Sequence, residues 1–154
     1  MAGERTINML IVDYEKDNVD LIRKNLKRLI ADLGYNLFIS ECFDGKDALE
    51  TYKKHVDSGG KYDLILMDYN MPTNGVNAMN SMDTTLAMRK YQRENNFDKT
   101  KVIMQTASDY DDAQKFREKK YDDGTPNGTP LFDAVIRKPI TKEKLKVVLD
   151  TYLN

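Results

Sequence analysis

The sequence predicts an α/β fold in which five parallel strands form one sheet wrapped by helices on both faces. Three observations predict it. Short apolar runs, Met9–Val12 and Leu64–Met67, stop abruptly at carboxylates, Asp13 and Asp68. A run of that length without alternation suits a strand covered on both sides. Segments with apolar residues at helical spacing separate such runs, and the two kinds alternate five times along 154 residues. Parallel strands need a helical crossover each, so that alternation argues for a doubly wound parallel sheet.

Met9–Val12 is the first strand, with Asp13 at its C-terminal end. Val19, Ile22, Leu26, Leu29, Ile30 and Leu33 then mark a helix, with Asp17 or Asn18 as cap and Gly34 as stop. Its outward face carries Arg23, Lys24, Lys27 and Arg28 and reads as solvated. Leu37–Cys42 is the second strand and Asp44-Gly45 a turn. Ala48, Leu49 and Tyr52 share one side of a short helix that runs toward His55. After the Ser58-Gly59-Gly60 loop comes the Leu64–Met67 strand, and Pro72 forces a turn beyond it. Met79–Asp83 leads into a helix reaching Glu94, packed through Met82, Leu86 and Met88 or the stem of Arg89. Lys101–Gln105 is the fourth strand, ending at Thr106-Ala107-Ser108. Asp109 caps the next helix, with Ala113 and Phe116 inward. Tyr121–Pro130 is dense in turn formers and reads as a loop. Asp133–Arg137 is the fifth strand, ended by Lys138-Pro139. Thr141 caps a last helix with Leu145, Val148, Leu149 and Tyr152 on one face.

Composition narrows the function. Hydrophobic residues at 40% and charged residues at 32% fit a soluble globular domain. A net charge of -1 offers no bulk attraction for nucleic acid or an anionic membrane. No apolar run nears the ~20 residues that span a bilayer, and the opening residues lack the core of a secretory signal. A single cysteine, Cys42, excludes an internal disulfide; it fits a small buried residue in a reducing, cytoplasmic setting. His55 is the only histidine, so zinc clusters and Ser/His or Cys/His chemistry lack material. Near a helix C-terminus it fits a structural role with the local dipole.

The ends of strands one, three, four and five supply Asp13, Asp68, Thr106 and Lys138 to one edge of the sheet. That edge is where ligands collect in open α/β sheets. Two carboxylates there can hold a hard divalent ion such as Mg2+, and a carboxylate can act as a nucleophile toward phosphorus. A threonine hydroxyl and a lysine ammonium can bind phosphoryl oxygens. The glycine-rich nucleotide motifs are missing, so a phosphoryl donor is small or carried by another protein.

The ordered set Leu10-Ile-Val-Asp13, Asp63–Pro72, Val102–Ser108 and Arg137–Ile140 resembles the response-regulator receiver domain, and it spans nearly the whole chain. Met79–Arg89 resembles a helix start of that family. The resemblance implies a flavodoxin-like (CheY-like) fold with strand order 2-1-3-4-5. It implies that Asp68 takes a phosphoryl group from a phosphohistidine on a histidine kinase or histidine phosphotransfer protein. Mg2+ would be held by Asp13, Asp68 and the backbone carbonyl of Asn70. Thr106, Ala107 and Lys138 would bind the phosphoryl group, and Pro139 would follow a cis bond. Movement of Thr106 would switch partner binding. Such a protein is a signalling phosphoacceptor that catalyses only its own phosphoryl transfer and dephosphorylation. The resemblance implies no nucleic acid partner and no membrane insertion. It places residues 1–154 in one receiver domain with a core from about 7 to 153, standing alone or belonging to a parent hybrid histidine kinase.

The chain departs from the family in three ways. Tyr14 stands where a second acid is expected, and a phenol with a pKa of about 10 is a poor Mg2+ ligand. Glu15, one residue on, has an arm long enough to replace that acid. Val135 occupies a position where the family often has an aromatic rotor. Two loops, 73–78 and 121–130, are longer than usual. Tyr14 favours an alternative, a pseudo-receiver that binds proteins without being phosphorylated. A haloacid-dehalogenase-like phosphatase also uses Asp, Mg2+, Thr/Ser and Lys. It expects a general acid two residues after the nucleophile, and here that residue is Asn70.

Overall fold

The computed structural model describes residues 5–71, 79–107, 110–118, 120–121 and 129–153. In chain order the elements are β1 (Thr6–Val12), α1 (Lys16–Asp32), β2 (Asn36–Cys42), α2 (Gly45–Asp57), β3 (Leu64–Asp68) and α3 (Ser81–Glu94). They continue with β4 (Lys101–Thr106), α4 (Tyr110–Glu118), β5 (Lys120–Tyr121), β6 (Thr129–Pro130), β7 (Ala134–Arg137) and α5 (Lys142–Tyr152). Five strands form an all-parallel sheet in the order β2-β1-β3-β4-β7. Counted within that sheet, β7 is the fifth strand, so the order is the expected 2-1-3-4-5.

Alternation along the strands divides the core into two layers. Ile7, Met9, Ile11, Leu64, Leu66 and Ile103 pack on one face with Val19, Ile22 and Leu26 of α1 and Leu145, Val148 and Leu149 of α5. Leu10, Val12, Ile65, Met67, Val102 and Met104 pack on the other with Ala48 and Tyr52 of α2, Met88 of α3 and Ala113 of α4. Every residue of β3 is buried. That is why its apolar run does not alternate.

The structure corrects several local readings. The N-cap of α1 is Glu15, without a side-chain cap bond, rather than Asp17 or Asn18. Asn18 is instead turned back to Asp13. The helix does stop at Gly34 as expected: Leu33 is the C-cap, and Gly34 just beyond it adopts the left-handed φ of 77°. On the outer face of α1, Lys24, Lys27 and Arg28 are exposed, but Arg23 pairs with Asp20 at 2.7 Å and with Glu41 of β2. On α3, Leu86 is 40% exposed and does not pack inward. The buried face is Thr84, Thr85, Met88, Arg89 and Gln92, because Arg89 satisfies its guanidinium on the carbonyls of Leu131 and Thr100. The segment read as one loop before the last strand contains the antiparallel pair β5–β6. Two-residue strands carry no readable period. Leu131 and Phe132, just after it, are core residues at 1% and 0% exposure.

Other readings meet direct counterparts. Thr141 caps α5 by accepting from the Lys144 N–H. Cys42 is buried beside Thr51, and burial pushes its thiol up to about 11. His55 lies between the rings of Phe38 and Tyr62, with Nε2 3.0 Å from the Lys61 carbonyl oxygen. Val135 is a buried β-branched residue of β7. Pro72, residues 73–78, Ser108, the Asp109 cap and the Phe116 side chain lie outside the described residues. No described helix is long and apolar enough to cross a membrane.

Candidate functional site

Register brings the strand ends together. Val12 pairs with Met67, so Asp13 emerges beside Asp68. Asp68 pairs with Gln105, one residue before Thr106. Thr106 pairs with Arg137, and the Lys138 N–H donates to the Thr106 carbonyl at 2.8 Å. Four side chains spread over 126 positions of sequence thereby meet at the C-terminal edge of one sheet.

Asp13 is fully buried and Asp68 is 2% exposed. Lys138 Nζ lies 3.2 Å from Asp13 Oδ2 and 3.2 Å from Asp68 Oδ1. The remaining capacity of these carboxylates is partly taken. Asp13 Oδ1 accepts from the Glu15 backbone N–H at 2.8 Å, and Oδ2 accepts from the Asn18 side-chain amide at 2.7 Å. Asp68 Oδ1 accepts from the Asn70 backbone N–H at 3.0 Å. Burial first, and then the charge of Asp13, push the Asp68 carboxyl above its ordinary range, with Lys138 and the Asn70 N–H opposing them. Burial works against the Lys138 ammonium, but Asp68 and Asp13 outweigh it and hold its pKa above the usual lysine range.

Thr106 is buried, and its hydroxyl donates to Asn70 Oδ1 at 3.0 Å. The Asn70 side chain therefore bridges the β3 and β4 ends. Ala107 follows Thr106 and is exposed, and the Lys138–Pro139 peptide is cis. Behind the site, Ser81 of α3 donates to the Tyr69 carbonyl at 2.8 Å and ties that helix to the turn after Asp68.

Tyr14 is 61% exposed, and Glu15 is exposed. Among the described residues no three His, Cys, Asp or Glu side chains converge. The acid site brings together two carboxylates, not three. Two participants had no recognisable signal in the sequence. Asn18 reads there as a helix cap, and the contact of the Asn70 side chain with Thr106 depends on strand register. Gln105 is a third surprise. It is fully buried on β4, and neither its Nε2 nor its Oε1 has a partner among the described residues.

Such an edge can bind a phosphoryl group through an ammonium and a hydroxyl, offer a carboxylate to it, and hold a hard cation on oxygen donors. The sequence matches the response regulator receiver domain family over residues 9–150. A hybrid signal transduction histidine kinase I of Dictyostelium discoideum is 24% identical over 153 residues, 99% of this chain and 8% of that protein. The chain thus spans a small part of that relative's length. A two-component response regulator from Cytophaga hutchinsonii superposes with a TM-score of 0.71 at 19% identity, covering 98% of this chain and 99% of the other. The Mn2+-bound form of the response regulator Rcp1 superposes with a TM-score of 0.55 at 16% identity, covering 96% and 94%. At such identities these structures establish the fold.

Proposed function

This chain belongs to the response regulator receiver domain family, and from that premise we propose that Asp68 is the phosphoacceptor of a two-component or phosphorelay system. The observation that carries the reading is the position of Lys138, 3.2 Å from each of two buried carboxylates and adjacent to Thr106 in the sheet. A carboxylate oxygen of Asp68 attacks the phosphorus of a phosphohistidine. The O–P bond forms, the N–P bond breaks, and the imidazole nitrogen keeps the electron pair. Lys138 turns from its carboxylates to a phosphoryl oxygen. The Thr106 hydroxyl exchanges its bond to Asn70 for another phosphoryl oxygen, and the exposed Ala107 leaves its backbone N–H for the third. The displacement of Thr106 biases the β4–β7 edge and the α4 between them, which is the switch a partner reads.

The residues fit a divalent cation. The donors are hard oxygens, and burial beside Asp13 raises the Asp68 carboxyl, a charge imbalance that a cation relieves. Asp13, Asp68 and the Asn70 backbone carbonyl would hold Mg2+. When bound, the ion neutralises negative charge on the phosphoryl group. The Mn2+-bound form of the similar response regulator Rcp1 supports this assignment. The partner is a histidine kinase or histidine phosphotransfer protein, and the Dictyostelium relative supports a parent hybrid kinase. We place the domain in the cytoplasm as a signalling phosphoacceptor that dephosphorylates itself rather than a turnover enzyme.

Intact-mass spectrometry after incubation with acetyl phosphate and Mg2+, beside Asp68→Asn, tests the proposal. The parent should gain the mass of one phosphoryl group and the variant should not. The exposed Tyr14 supports a second reading, a pseudo-receiver. No mass gain from acetyl phosphate or a phosphohistidine protein, together with undetectable Mg2+ binding, would establish it instead.

A further inference from the structure

The first two turns after β1 hold a side chain that the acid site uses and the family resemblance does not assign. Asn18 leaves the first turn of α1 and places its amide nitrogen 2.7 Å from Asp13 Oδ2, the same oxygen that Lys138 approaches at 3.2 Å. Tyr14, at the position of the missing acid, points to solvent, and Glu15 contributes its backbone N–H rather than its carboxylate. Asn18 is thus a neutral polar side chain of α1 that reaches Asp13 of the carboxylate pair.

The spacing suits a ligand. A half-turn about the Cβ–Cγ bond exchanges Nδ2 for Oδ1 at the same point. Neighbouring ligand oxygens of an octahedral ion with bonds of about 2.0–2.1 Å lie roughly 2.9 Å apart. Asn18 and Asp13 already stand near that separation. An amide oxygen is also a hard donor of the kind such ions accept.

A second observation lies on the same face of the sheet. Asp68 and Gln105 are paired in register, so their side chains leave the sheet on the same face. Ile103 and Ile136, which share that face with Gln105, pack toward the α1 and α5 layer. Gln105 is fully buried with both amide atoms unpartnered among the described residues. A buried orphan amide on the sheet face that carries Asp68 marks a place for water.

We propose that Asn18 is the third side-chain ligand of a divalent cation held with Asp13 and Asp68, supplying the donor that Tyr14 does not. The inference rests on the receiver reading above and adds a residue to its site. The same amide hydrogen-bonds Asp13 Oδ2 and keeps that carboxylate oriented.

The test is Mn2+ binding to the full chain, followed by the loss of the free-ion electron paramagnetic resonance signal and without phosphoryl donor. Asn18→Ala should weaken binding about tenfold, the lower end of what lost metal-site partners cost. Asn18→Asp, which keeps size and adds charge, should bind more tightly than wild type. In a Tyr14→Asp background Asn18→Ala should lose most of its effect. Circular dichroism melts of each variant establish that it is folded. Wild-type affinity in Asn18→Ala, or weaker binding in Asn18→Asp, overturns the proposal while leaving phosphorylation of Asp68 standing. Failure of the wild type both to bind Mn2+ and to gain a phosphoryl mass overturns this proposal together with the receiver reading.

Discussion

Ionised Asp68 carries an electrostatic cost in the folded protein. Burial and the charge of Asp13 raise its carboxyl above the ordinary range. The folded protein therefore holds that proton more tightly than the unfolded chain does. Any stability linked to the protonated form is full below the unfolded carboxylate range and is lost as pH rises through the raised value. At neutral pH the ionised group is a net cost. Asp68→Asn should raise the urea midpoint at pH 7, with a gain of about 1 kcal/mol. The gain should shrink as pH falls through the carboxylate range, because wild-type Asp68 then protonates too. Equilibrium urea unfolding at several pH values checks this, and a variant less stable than wild type at pH 7 would refute it. Lys138 has the complementary dependence. Its raised pKa contributes stability below the unfolded lysine range that is lost only as pH climbs past the folded value. The carboxylates were legible because each ends an apolar run, and Lys138 because Lys138-Pro139 closes the fifth strand. Asn18 was not, because an amide in a first helical turn is ordinarily a cap.

At the scale of elements, the least obvious constraint is the contact of α2 with α3. Gly45 opens α2, and a Cβ there would lie 2.2 Å from the Met79 carbonyl oxygen and 2.3 Å from Thr84 Oγ1. Its backbone is not left-handed, so the demand is for space alone. The Met79 carbonyl is backbone, and Thr84 Oγ1 is committed to the Asn80 carbonyl at 2.8 Å. Neither can move freely. Gly45→Ala should cost about 1–3 kcal/mol, typical of overpacking, and a thermal melt with an unchanged midpoint would show that α3 shifts without penalty. Because Ser81 at the start of α3 holds the Tyr69 carbonyl, a forced shift of α3 also reaches the turn after Asp68. On α3 only Leu86 was misplaced, and for a related reason. Leu86 is the more apolar residue, but Arg89 has three groups to satisfy on the segment that follows β6 and on the β4 entrance, the Leu131 and Thr100 carbonyls and the Asp133 carboxylate. Those partners are distant in sequence, and they decide which face turns inward.

Across the whole molecule, two apolar layers clamp one sheet, and the short stretch between β6 and β7 completes one of them. Phe132 is fully buried and packs in the layer with Tyr52, Met88 and Val102. Phe132→Ala should cost about 3–5 kcal/mol, the range for a truncated core aromatic. Chemical denaturation giving less than about 1 kcal/mol would place the residue outside the cooperative core. The doubly wound architecture and the meeting of Asp13, Asp68, Thr106 and Lys138 were determined by the sequence alone. Unalternating runs must be covered on both faces, helical crossovers make them parallel, and residues ending parallel strands necessarily share an edge. Tertiary structure decided the rest. The inward turn of Asn18, the bridge from Asn70 to Thr106, the burial of Gln105 and the rotation of α3 all depend on hydrogen-bonding partners supplied by other elements. Local pattern records which residues prefer to be buried; it does not record where a polar side chain will find its partner.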